Sequence, residues 1–125
     1  MHRTKQLTAA AALAASLALA APALVLAGQA ATATPLAGSV GPGFTISLKK
    51  GGKAVKSLKP GLYKITVSDK ANSHNFHLFG PGVKKVVTTV PFVGTKSVTV
   101  TLKKGTYTFV CDPHASNMKG TFKVA

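Results

Sequence analysis

An all-β sandwich or barrel of short strands is the fold class that the sequence predicts, on three observations. Apolar and polar residues alternate in short runs such as "FTISL" (44–48) and "SVTVTL" (97–102), and no segment keeps a helical period over a useful length. Thr and Val dominate these runs, and such side chains fit a pleated, half-buried surface. Turn signals punctuate the runs: Lys59-Pro60-Gly61, Gly80-Pro81-Gly82 and Lys103-Lys104-Gly105. Short strands at this spacing fit a sandwich or a barrel.

Taken in order, residues 1–27 read as a secretory leader, with His2, Arg3 and Lys5 ahead of a run of Ala, Leu and Val. Cleavage is expected between residues 27 and 33, and an uncleaved segment would instead tether the chain to a membrane. Residues 28–43, small and turn-rich, are expected to form a flexible lead-in to one domain at 44–125. Removal of the leader leaves about 95 residues, enough for a single core.

The first expected strand, 44–48, places Phe44, Ile46 and Leu48 on one face. Further strands are expected at 62–67, 74–79, 84–90, 97–102 and 106–111, with "GTFKV" (120–124) closing the chain. On the 106–111 strand, alternation puts Tyr107, Phe109 and Cys111 on one face, the cysteine at the rim of the core.

Composition narrows the function. The formal charge is +14, and beyond the leader fourteen lysines face only Asp69 and Asp112. Such a surface attracts acidic partners and anionic membranes, so peripheral membrane association is one expectation. No nucleic-acid partner is expected, because arginine is absent beyond the leader and aromatic stacking platforms are few. Two acids in turn-like contexts also leave no paired-carboxylate or Ser-His-Asp chemistry. The single cysteine, Cys111, has no disulfide partner in an exported chain, and a bound metal would occupy it.

That cysteine lies in "YTFVCDPHASNMKGTF" (107–122), with His114 and Met118 following on a loop that Pro113 begins. A thiolate, an imidazole and a thioether suit copper better than zinc, and a trigonal site with a weak axial Met needs a second histidine. His74 and His77, in "SHNFHLFGPG", both qualify. Three residues apart on a strand, they face opposite ways, so one serves and the pattern leaves open which.

These stretches resemble the small blue-copper proteins of the cupredoxin family, the plastocyanin and amicyanin group. The resemblance rests on His74-Asn75 at a strand end, on "GTYTFVCDPH" (105–114), and on the Cys, His, Met order of the closing loop. It implies a Greek-key β-sandwich holding one Cu(I)/Cu(II) ion on His74, Cys111, His114 and Met118. It also implies that Asn75 and Asp112 join the two ligand-bearing segments. Asp112 departs from the Ser or Thr often found there, and the acidic recognition patches of relatives are replaced by lysine.

The function implied is a soluble one-electron carrier outside the cytoplasm, not an enzyme, working as a monomer with redox protein partners. Pro113, Ala115 and Pro81 are expected to form its contact surface around His114, with lysines steering an acidic docking face towards it. An extracytoplasmic copper-handling protein using the same four residues is the alternative.

Overall fold

The computed structural model describes residues 31–125; the leader expected at 1–27 lies outside them. Among the described residues, ten strands form two five-stranded sheets. The first sheet contains β1 (Thr34–Val40), β2 (Ile46–Lys50), β3 (Lys53–Ala54), β5 (Gly61–Asp69) and β8 (Gly94–Leu102), in the order β3-β2-β1-β5-β8. The second contains β4 (Ser57–Leu58), β6 (Phe76–Gly80), β7 (Val83–Thr88), β9 (Gly105–Val110) and β10 (Lys119–Val124), in the order β4-β10-β9-β6-β7. Both are mixed, since β1 runs parallel to β5 and β4 parallel to β10. The result is a Greek-key β-sandwich. Among the described residues the one helical segment is a single 3-10 turn, Asp112–His114, and no helix is long and apolar enough to cross a membrane.

Alternation places the core. In β5, Tyr63, Ile65 and Val67 point inward, while β6 contributes Phe76 and Leu78 and β9 contributes Tyr107 and Phe109. Phe76 stacks on Phe109 with centroids 5.9 Å apart, and Tyr107 stacks on Phe122 at 5.5 Å. Burying side chains of this size is worth about 1.5–3 kcal/mol each, so these two pairs, all four residues on the second sheet, are a major part of what that sheet contributes to the core.

The seven expected strands correspond to β2 and β5 to β10, with ends shifted by a few residues. The flexible lead-in expected at 28–43 is corrected over 34–40, which form β1 at the centre of the first sheet. Leu36, Gly38 and Val40 face inward there. Gly38 is small because a Cβ would stand 2.9 Å from Val67 Cγ2 and 3.1 Å from the Phe76 ring. A glycine read as a turn signal marks instead the close approach of a buried strand to the opposite sheet.

The register gives the sandwich two ends. At one, β1 and β5 finish level with each other (Val40 with Asp69), β8 begins beside them (Gly94), and β6 begins close to the end of β9 (His77 opposite Val110). At the other lie the turns β2–β3, β4–β5, β6–β7 and β8–β9. Tyrosine hydroxyls tie this second end together: Tyr107 donates to the Pro81 carbonyl (2.7 Å) and accepts from the Lys103 amide (3.0 Å), and Tyr63 donates to the Lys59 carbonyl (2.6 Å). Nine residues of β5 span this axis, about 26 Å at strand rise.

Candidate metal centre

Three segments meet at the first end. Strand β9 delivers Cys111 one residue past its last paired position, fully buried. The chain then turns through Asp112–His114, and its backbone closes on itself: the Cys111 amide donates to the Met118 carbonyl (2.9 Å), and the Met118 amide to the His114 carbonyl (2.8 Å). This closure sets Met118, also fully buried, beside Cys111. His74 arrives just ahead of β6 and is 3% exposed. Gly41, at φ +72°, lets the β1–β2 connection pass close to it, for a Cβ there would stand 3.0 Å from the His74 ring.

The donor atoms converge. Cys111 Sγ lies 3.6 Å from Nδ1 of His74 and 3.6 Å from Nδ1 of His114, and the two nitrogens are 3.1 Å apart. Metal–nitrogen and metal–sulfur bonds of about 2.0–2.3 Å set their donor atoms roughly this far apart. The donor set therefore fits one ion. One sulfur and two imidazole nitrogens in a trigonal cluster are the set that suits copper, and His74, Cys111 and His114 make a site consistent with a single copper ion. The structure brings His74, not His77, to the thiol.

His77 does something else. From the other face of β6 its Nδ1 meets Asp112 Oδ1 at 3.1 Å. Asp112 Oδ2 accepts from the Asn75 side-chain amide (2.8 Å), and Asn75 Oδ1 accepts from the Asp112 backbone amide (2.7 Å). The segments carrying His74 and Cys111 are thus cross-linked by a two-way Asn75–Asp112 bond. Burial pushes the Asp112 carboxyl up, but the hydrogen bonds from Asn75 and His77 and the charge of His77 outweigh it and hold the group below its ordinary value.

The sequence pattern puts Phe44 on one strand face with Ile46 and Leu48. Instead β2 begins at Ile46, and Phe44 stands on the 41–45 turn, 63% exposed. Its ring meets His114 edge-on at 4.9 Å and His74 at 5.9 Å. The signal available was its place directly after Gly41-Pro42-Gly43. For His77 the signal was parity: it lies opposite Val110, two residues before Asp112.

Of the expected contact residues, Pro113 and Ala115 are exposed beside the half-buried His114. Pro81 is not there. Strand β6 carries the chain away from His74, so Pro81 packs over Gly105 at the start of β9, at the opposite end of the sandwich. The lysines do not ring the site either: the metal-end connections 41–45, 70–75, 89–93 and 111–118 contain one, Lys70.

A buried thiol and two imidazoles at the rim of a β-sandwich define a class of proteins that hold a single transition-metal ion in a cage of side chains. The chain belongs to one family of that class, the copper binding proteins of the plastocyanin/azurin family, whose model matches residues 44–125. No curated protein matches it in sequence. Among solved structures it is similar to the copper protein rusticyanin (TM-score 0.54, 21% identity, 73% of this chain and 76% of that one). A structure of reduced rusticyanin gives a TM-score of 0.52 at 22% identity over 73% and 78% of the two chains. A chain from a heme-copper terminal oxidase dimer gives 0.52 at 18% identity over 73% and 63%. At these identities the likeness is one of fold.

Proposed function

We propose that the chain is a type 1 copper protein that carries single electrons between redox partners outside the cytoplasm. The observation that supports this most is the convergence of the buried Cys111 thiol with two imidazole Nδ1 atoms. Copper bound there would supply one-electron Cu(I)/Cu(II) exchange, with soft sulfur ligands favouring Cu(I). Met118, held beside Cys111 by the loop closure, would serve as the weak fourth ligand. Four protein ligands leave no open position for a substrate, so the reading is a carrier and not a catalyst.

The protein's part is to hold the cage still. The Asn75–Asp112 cross-link fixes the two ligand-bearing segments, and His77 holds the far side of the carboxylate. Electrons leave through the His114 edge, around which Phe44, Pro113 and Ala115 form a small apolar seat, as suits weak, brief encounters. An acidic redox partner is drawn by the overall charge and seated by these apolar groups. The leader-like sequence at 1–27 supports an extracytoplasmic place of work, and the carrier acts as a monomer.

The test is visible absorption and EPR on the same copper-loaded sample. An intense blue band with narrow copper hyperfine splitting, absent in Cys111→Ser, is the expected result. A pale sample with wide splitting would favour copper handling over electron transfer, and failure to retain copper would remove both readings.

A further inference from the structure

The end of the sandwich opposite the metal site has a different chemistry from the rest of the surface. Its turns carry five of the fourteen lysines beyond the leader: Lys50 and Lys53 bracket the β2–β3 turn, Lys59 precedes β5, and Lys103 and Lys104 make the β8–β9 turn. Lys50 and Lys59 line one groove at this end, and Lys84, Lys85 and Lys103 line another beside the β6–β7 turn. No acidic side chain accompanies them, since the two acids of the described residues, Asp69 and Asp112, are both at the metal end.

We propose that this lysine-bearing end docks on an anionic phospholipid bilayer, holding the His114 end outward in solution. The lysines sit in separate turns that all reach the same end, so an occupant must be broad and shallow to meet them together. A laterally fluid anionic leaflet is such an occupant, and each lysine near it adds to binding. A protein partner would look for an apolar or aromatic anchor, and among the described residues the turns at this end expose no large apolar side chain. Among the described residues the exposed large apolar side chains are Phe44, Val90 and Val93 on metal-end turns and Phe79 and Val86 on the outer face of the second sheet, where Phe79 lies opposite Lys84. Nucleic acid would need stacking platforms or arginine, and the described residues have no arginine. The chain also enters the sandwich here, since β1 starts at Thr34 level with Tyr63 near the start of β5. At about 26 Å from the metal end, against a Debye length of about 8 Å at physiological salt, the lysines of these turns act far more strongly on a surface beneath them than on what meets His114. The docking stands whether or not the copper reading does.

Flotation of the full chain with vesicles of equal parts phosphatidylglycerol and phosphatidylcholine, or of phosphatidylcholine alone, tests it. Binding is expected to the anionic vesicles in excess of the neutral ones, and raised salt should remove the excess. Combined Lys59→Glu, Lys103→Glu and Lys104→Glu should weaken that excess at least about tenfold. Combined Lys70→Glu, Lys96→Glu and Lys119→Glu, equal in charge change, should weaken it far less. Hydrogen exchange on the vesicles should slow at 59–61 and 103–105 and stay unchanged at 112–117. Equal binding to both vesicle types, or equal loss in the two triple variants, would overturn the proposal. Binding to soluble polyglutamate without binding to vesicles would overturn it in favour of an acidic protein partner.

Discussion

The two ends of the sandwich solve the same structural problem with different groups. Each must hold several turns in place with polar bonds. At the lysine end, tyrosine hydroxyls from within the core reach out to the backbone at Pro81, Lys103 and Lys59. At the metal end, an amide and a carboxylate, Asn75 and Asp112, bond each other across two loops, with His77 behind them. A hydroxyl anchored by its own ring is part of the packing, so this end gains rigidity from the core. In the Asn–Asp pair the buried Asn75 has no ring to anchor it, and Asp112 is half exposed. Rigidity at the metal end therefore rests more on hydrogen-bond geometry, although Cys111 and Met118 are themselves part of the core.

The largest effect should come from removing the core anchor. Tyr107→Ala takes away a fully buried ring and the hydroxyl between Pro81 and Lys103, at a cost of about 3–5 kcal/mol. Denaturant unfolding would measure this, and the absorption of the copper-loaded fraction that stays folded should not change. A shifted spectrum would mean that the ends are coupled and the comparison fails. Asn75→Ala should cost less, about 1–3 kcal/mol, because it orphans the Asp112 amide and frees the carboxylate. This variant should also alter the spectrum and release copper faster to a chelator, an outcome that Tyr107→Ala should not share. The smallest effect on stability belongs to Phe44→Ala, within about 0.5 kcal/mol for an exposed side chain. Its electron self-exchange, followed by NMR line broadening, should nevertheless slow several-fold, because the apolar seat at His114 is cut back.

Most of the fold was legible because alternation survives wherever the side chains are large. Val, Ile, Leu, Phe and Tyr marked β2 and β5 to β10. Strand β1 was hidden because it pays for its central place with a glycine and small residues, which read as a loop until the opposite sheet supplies the contact. The two-residue strands β3 and β4 are too short to carry any period. At the site, Cys111, His114 and Met118 were legible from their crowding on one loop. His74 needed the resemblance, since parity says only that it and His77 diverge. Pro81 was misplaced because its turn follows His74 closely in sequence, although a five-residue strand lies between. The lysine end is not legible in the sequence, where charge appears only as a total; only the register sorts the turns into two ends.

The tyrosine hydroxyls have a practical consequence. The chain has two tyrosines and no tryptophan, and both hydroxyls sit at the lysine end. Intrinsic ultraviolet emission therefore reports on that end alone, while any thiolate-to-metal band would report on the other. A single sample carries two optical channels about 26 Å apart. Heating it while recording both would show, without any label, which end loosens first.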